Sequence, residues 1–509
     1  MHRKTRQVLF PPTHDPEIFR KAGHRLIDLL ADYLARVGSR EHLLEWREPR
    51  EALQRFLEKA PSEGVAPERR VEAIVELLGK TFVEAAMHMH HPLYLGHQVA
   101  VPAVPAALAD LTVSFLNPTQ AVYEISPGAN AIEAVLVRWL ADLMGFDEHA
   151  DGLVVSGGSV ANLTALLAAR NAFVGRDAFG RGVAGERLAI IVSADHHYSI
   201  ARAAMILGLG GEGVIPVPID GRRRMDPRGI AGATDRAAAL GRRPFAICAS
   251  AGSTPVGAFD PLQEIADEAR RLGIWLHVDA AHGGTALLSE SHRGKLRGIE
   301  RADSVTWDPH KMMLMPAALG TVMLRDGQRL IGAFHQDAPY LFDAYHPELA
   351  QFDIAKKSIA CTQRADCVKL WVCIKVFGTR SFADLYERCC ATARTLYEMI
   401  AGAPDFETIH EPESNILCFR HVPASLRGAD ARTLDTHNAA LRAAVVRDGR
   451  AYLTPGHLDE RDVLRAVVMN PMTTAEHLAE FVAILRELGE KVARRGPEGR
   501  ARGGDDAKG

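Results

Sequence analysis

The chain has 509 residues, 47% of them hydrophobic and 24% charged, which is the balance of a globular protein too long for a single core. Its formal net charge of −3 offers no global attraction to nucleic acid or an anionic membrane, and no apolar run reaches the ~18 residues of a spanning helix. Seven cysteines, an odd number without a CxxC pair, argue against a disulfide framework and a thiolate zinc site. The basic start leads to Pro11-Pro12 rather than an apolar run, so the cytoplasm is the expected location.

From Asp15 to Val37, apolar residues recur at three and four positions (Phe19, Ala22, Leu26, Leu29, Leu30, Tyr33, Leu34), which predicts an amphipathic helix. Helical patterning continues through Val71–Leu78. Residues 1–85 therefore read as a helical N-terminal segment whose stripes need another surface to bury them, and a partner subunit is the natural candidate for dimerisation. Between 86 and 375, helix patterns alternate with short apolar strands at 153–155, 188–192, 245–249, 273–279, 304–308 and 321–324. Such alternation predicts a large α/β domain on a predominantly parallel sheet. From 376 to 493 a smaller α+β domain opens with a helix from Phe382 to Ala401, continues through strands at 416–419 and 464–469, and closes with a helix from His477 to Val492. The Gly-, Arg- and Asp-rich stretch 494–509 reads as a disordered tail.

The chemistry concentrates where strands end. Lys311, in Asp308-Pro309-His310-Lys311, lies thirty-two residues after Asp279, in His277-Val278-Asp279-Ala280-Ala281. A lysine amine can hold pyridoxal 5'-phosphate as a Schiff base, and a carboxylate can keep the pyridine nitrogen protonated so that the ring accepts electrons. Asp279 ends the strand 273–279, at the sheet edge where open parallel sheets bind ligands, and the strand 304–308 delivers Lys311 to the same edge. Ser156-Gly157-Gly158-Ser159 follows another strand and opens a helix, so backbone amides and the Ser159 hydroxyl form a cradle for the cofactor phosphate. His196-His197 ends a further strand, and an imidazole there can lie on the ring face opposite the aspartate and bond a substrate carboxylate. His88, His90, His91 and His97 lack a carboxylate or cysteine at a recognised spacing, so no metal is expected.

In this order, Ser156-Gly157-Gly158-Ser159, His197-Tyr198-Ser199, Ser253-Thr254, His277–Ala281, Asp308–Lys311, Leu464-Arg465 and Met469-Asn470-Pro471 resemble the group II pyridoxal phosphate-dependent amino acid decarboxylases. That family includes aromatic amino acid, glutamate, cysteine sulfinate and 2,4-diaminobutyrate decarboxylases. The similarity extends from about residue 16 to 490. It implies fold type I of pyridoxal phosphate enzymes, an α/β architecture like that of aspartate aminotransferase. A mainly parallel seven-stranded sheet would carry a smaller C-terminal α+β domain and a helical N-terminal segment. It also implies a homodimer with active sites at the subunit interface, acting on a small-molecule amino acid substrate, with no nucleic acid or membrane partner.

Position by position, the resemblance makes Lys311 the Schiff-base lysine and Asp279 the pyridinium partner. His197 becomes the stacked histidine, with His196 as the other register. Gly158 and Ser159 hold the phosphate, with His310 as a further phosphate-side contact. Thr254 faces the cofactor and Ala281 is the small residue packed against its ring. Ala338-Pro339-Tyr340-Leu341-Phe342 resembles the family's mobile loop, closest to the glutamate and cysteine sulfinate decarboxylase form, in which Tyr340 would protonate Cα after CO2 leaves. His97, Gln98 and Arg465 fall where the family places substrate-facing residues, and Arg465 also suits a structural ion pair. The expected reaction is α-decarboxylation of an L-amino acid with an acidic or aromatic side chain. An aminotransferase, a lyase or an oxygen-dependent aldehyde synthase is the alternative.

Overall fold

The computed structural model describes residues 12–175, 177–183, 185–334, 338, 342 and 352–494. The described residues divide into two compact units interleaved along the chain. One holds the residues up to Leu95, Ala440–Leu453 and those from Met472 on; the other holds Gly96–Ala439 and Thr454–Pro471.

In the first unit, helix α1 (Pro16–Arg36) starts because Asp15 accepts a hydrogen bond from the Glu17 amide and Pro16 suits the first helical turn. It packs on the helix Arg70–Val75, and Arg25 forks onto both Glu72 carboxylate oxygens at 2.8 and 3.2 Å. Gly79 permits the close approach of Leu29, whose Cδ1 would lie 2.6 Å from a Cβ there. Much of the apolar patterning of this segment faces outward, with Phe19, Leu30, Phe56, Leu77 and Phe82 all exposed. Tyr94–Leu95 pairs in parallel with Tyr452 and Leu453.

The second unit carries the large sheet. Its described strands are β1 (Asp151–Val155), β2 (Leu188–Ser193), β3 (Val214–Val217), β4 (Arg243–Ser250), β5 (Trp275–Asp279), β6 (Ser304–Trp307) and β7 (Gly320–Leu324). They lie in the order β1-β7-β6-β5-β4-β2-β3. The pairs from β6 to β3 are parallel, whereas β7 runs antiparallel to both β6 and β1. The edge strand β3 was not legible in the sequence: Pro216 interrupts its pattern, and an edge position is where a strand tolerates proline.

Side chains alternate across this sheet with period two. Ile247, Ala249, Leu276, Val278 and Val305 point into the main apolar core, together with Leu140 and Met144 of helix α2 (Pro127–Met144). The opposite face lies under helix α3 (Gly158–Val174), whose buried Ala161, Ala165, Ala168 and Ala169 let it sit close to the strands. The helix expected from Phe382 begins earlier, at Cys367, and runs to Ala401 with a break at Gly378, whose φ of 72° stops the first stretch. Beyond it, Ile416–His421 pairs antiparallel with both Phe406–Thr408 and Arg461–Val467. The closing helix spans Ala475–Arg494; the remainder of the expected tail lies outside the described residues.

Candidate active site

The parallel strands β4, β5 and β6 deliver their last residues to one edge of the sheet. There a cavity of about 260 Å³ is lined by the strand ends, the N-terminus of α3 and the loop after β6. Period-two alternation puts Trp275, His277 and Asp279 on the face under α3, and the register sets Ser304 beside His277 and Thr306 beside Asp279. Asp279 Oδ2 accepts from Asn162 Nδ2 at 2.9 Å, and its Oδ1 accepts from the Ala281 amide at 3.1 Å. The carboxylate is thus fixed on two sides.

Helix α3 begins at Gly158 because Gly157 takes φ 87°, a conformation costly for a residue with a Cβ. The first amides of the helix have no carbonyl ahead of them to bond, and they open onto the cavity with the Ser159 side chain. Gly158 must be glycine for another reason: a Cβ would lie 2.7 Å from Asp308 Oδ2 and 3.3 Å from Ala281 Cβ. His197 caps the next helix, Tyr198–Ile206, and lines the cavity, and its Nδ1 meets Ser199 Oγ at 2.7 Å. Burial lowers its basicity. His196 is not among the lining residues; its Nδ1 lies 2.9 Å from the Ser193 carbonyl.

Lys311 Nζ sits 3.2 Å from Asp308 Oδ2. His310 Nδ1 meets the Leu319 carbonyl at 2.7 Å, so it donates there and its Nε2 remains, 3.9 Å from Asp308 Oδ2. Thr254 and Ala281 complete the expected lining, and sequence reasoning did not single out Asn162, His282 or Asp308, which line it too. His282 donates through Nε2 to Asn415 Oδ1 at 2.7 Å, and burial holds its pKa down to about 3.

Arg465 is 7% exposed and heavily engaged. Its guanidinium donates to the carbonyls of Thr254 at 2.6 Å and Pro255 at 3.0 Å, and to Gln98 Oε1 at 3.2 Å. The last of these bonds turns the Gln98 amide so that its buried Nε2 finds no hydrogen-bond partner among the described residues. His97 is exposed, and neither it nor Gln98 or Arg465 is part of the cavity lining; Arg465, and through it Gln98, connects to the lining residue Thr254. Tyr340 lies outside the described residues. Among the described residues no group of three or more His, Cys, Asp or Glu side chains is arranged to hold a metal, and no helix is long and apolar enough to cross a membrane.

An amine, a carboxylate, an imidazole and a helix N-terminus converging on one cavity form the donor set for pyridoxal phosphate. Residues 53–422 match the family model described as the pyridoxal-dependent decarboxylase conserved domain. The chain belongs to that family. It is 32% identical to the human acidic amino acid decarboxylase GADL1 over 495 residues, covering 95% of this chain and 94% of that protein. It is 29% identical to an aromatic-L-amino-acid decarboxylase of Bacillus atrophaeus over 477 residues, 94% of this chain and 96% of that one. The crystal structure of mouse CSAD, a cysteine sulfinic acid decarboxylase, superposes with a TM-score of 0.86 at 32% identity, covering 93% of this chain and 99% of that one. The protein is therefore a pyridoxal phosphate-dependent amino acid decarboxylase of fold type I, a carboxy-lyase; the comparisons do not favour an aminotransferase or an aldehyde synthase. The site fits the cofactor: Gly157 leaves space that a Cβ would fill between His310 and Ala318, Gly158 and Ser159 open the helix onto the cavity, and Ala281 beside them is small.

Proposed function

We propose that this decarboxylase removes the α-carboxylate of an L-amino acid with an acidic side chain, using Lys311, Asp279, His197 and Tyr340. The convergence of Lys311, Asp279 and His197 on the cavity at the sheet edge carries this reading. When bound, the cofactor supplies an aldehyde for the substrate amine and a ring that accepts the electron pair left by departing CO2. Lys311 would hold the cofactor through its amine. Asp279 keeps the proton on the ring nitrogen, and Asn162 and the Ala281 amide hold its two oxygens in place for that task. Gly158, Ser159 and His310 hold the phosphate, with the dipole of α3 behind it. Thr254, Ala281 and His197, which line the same cavity, would contact the ring. Tyr340 hands a proton to Cα, a step that a phenol performs well once water is excluded.

Support for an acidic side chain comes from the acidic amino acid and cysteine sulfinic acid decarboxylases among the relatives, and from the Gln98 amide. Arg465 orients that amide with its N–H group unspent, a donor suited to an anionic oxygen, and His97 neighbours it in sequence. The exposed apolar residues of α1 and Pro49–Phe56 support assignment of residues 1–85 to homodimerisation, with active sites at the subunit interface. Residues 86–375 then form the cofactor domain, 376–493 the small domain, and the enzyme works in the cytoplasm. CO2 release screened over aspartate, glutamate, cysteine sulfinate, 2,4-diaminobutyrate, tryptophan, tyrosine and dihydroxyphenylalanine tests the substrate assignment. Turnover of the acidic members is expected, and turnover confined to the aromatic ones would overturn it.

A further inference from the structure

Beneath Asp279 the hydrogen bonds continue through the buried face of the sheet. Asn162 Nδ2 donates to both Asp279 Oδ2 and Ser199 Oγ, each at 2.9 Å. A carboxylate oxygen only accepts, so this contact fixes which end of the Asn162 amide is nitrogen. Its Oδ1 then faces His277 Nε2 at 3.0 Å and must receive a proton from it. His277 Nδ1 in turn meets Ser304 Oγ at 2.9 Å, and Ser304 Oγ accepts from Trp275 Nε1 at 2.8 Å. The Ser304 proton is free to go to His277 Nδ1. With His277 as the neutral Nε2–H tautomer, every donor along the line finds an acceptor. The other branch follows the same logic: the Ser199 amide donates to His197 Nδ1 at 3.3 Å, so that nitrogen accepts, and the Ser199 hydroxyl supplies its second donor.

We infer that Trp275, Ser304, His277 and Asn162 form a one-directional relay that positions Asp279 against the cofactor ring nitrogen and, through Ser199, sets the tautomer of His197. The inference rests on the assignment of Asp279 as the ring-nitrogen partner. His277 is fully buried, and that burial holds its pKa down to about 4 against the pull of Asp279, in keeping with a neutral ring. Without the His277 proton, the Asn162 amide has no reason to keep its oxygen away from Asp279. A flipped amide would set two oxygens against each other, and the carboxylate would lose its fixed orientation. Trp275 and His277 lie outside the cavity lining, and all three residues, Asn162 included, act through Asp279 as positioning residues.

The test uses the holoenzyme reconstituted with pyridoxal phosphate labelled with 15N in the ring, read by NMR alongside steady-state kinetics. In the wild type the ring nitrogen resonates as a protonated pyridinium, and the His277 imidazole, assigned by its loss in a variant, shows the neutral Nε2–H pattern. His277→Leu is expected to move the ring-nitrogen resonance toward neutral pyridine and to lower kcat about 10- to 100-fold, with KM within about twofold. His277→Gln, which keeps an N–H near the Nε2 position, restores most of both. An unchanged ring-nitrogen resonance in His277→Leu, or a wild-type His277 carrying its proton on Nδ1, would overturn the relay. Asp279→Ala separates the two levels of the argument: if it too leaves the ring nitrogen protonated, the assignment of Asp279 is at fault rather than the relay. Should His277→Leu fail to fold, Ser304→Ala removes the donor to Nδ1 and is expected to give a smaller shift in the same direction, while no shift would count against the relay.

Discussion

The two faces of strand β5 are built in opposite ways. Leu276 and Val278 point into the main apolar core, where each contributes about 1.5–3 kcal/mol by burial alone and asks for no particular partner. Trp275, His277 and Asp279 point under α3, where the value of each group depends on a bond of correct direction. A fold needs only the first kind of face. A polar face inside a closed layer costs desolvation at every residue, and it persists here because it ends at the cavity edge with a carboxylate in a fixed orientation. Substitutions on one face should change stability, and on the other, chemistry.

The largest contrast is expected from Asp279→Ala. Phosphate contacts survive this change while the electron sink does not, so kcat should fall on the order of a thousandfold, about 4 kcal/mol of barrier, with cofactor affinity changed far less. Parallel measurement of CO2 release and cofactor binding checks this, and a loss of affinity without loss of rate would mark Asp279 as an anchor. Tyr340→Phe comes next. Amine formation should drop by about 10² or more, whereas CO2 release continues with uptake of oxygen and formation of aldehyde, ammonia and peroxide. Unchanged amine yield without oxygen uptake would leave Tyr340 without a chemical role.

On the apolar face, Leu276→Ala should cost about 2–4 kcal/mol of stability and leave kcat within about twofold once the protein is folded. Thermal unfolding and kinetics on the same sample check this, and a large loss of kcat would dissolve the distinction between the faces. The smallest effect is one of pH. His277 is held near 4 in the fold against about 6.5 when unfolded, so the unfolded chain takes up a proton first as pH falls. The fold therefore loses nothing to this group above pH 6.5 and loses stability as pH falls from there toward 4. His277→Gln should flatten this part of the urea midpoint–pH curve relative to wild type, while His282 keeps its own acid sensitivity in both.

Features carried by local pattern were legible in the sequence. Alternation of strand and helix patterns gave the α/β class, and Asp279 and Lys311 were readable because Asp279 closes one strand and Lys311 follows the next within a chemically specific motif. The edge strand Val214–Val217 was hidden because Pro216 breaks a β pattern that only its place at the sheet edge excuses. Asn162 read as an ordinary helix residue and His277 as part of a strand. Their meaning lies in a contact between residues 115 positions apart, and only the packing of α3 on β5 creates it. Asp308 was read as part of the lysine motif, yet its carboxylate packs between Gly158 and Gly320 and pairs with Lys311, which local spacing does not reveal.

The central claim is that Lys311 carries the cofactor in the cavity at the end of β5 and β6. Borohydride reduction of the pyridoxal phosphate-loaded enzyme, followed by peptide mapping, tests it without reference to any substrate. The account predicts one pyridoxyl-modified residue, Lys311, and no adduct in Lys311→Ala; a reducible adduct on another lysine, or its persistence in Lys311→Ala, would contradict it.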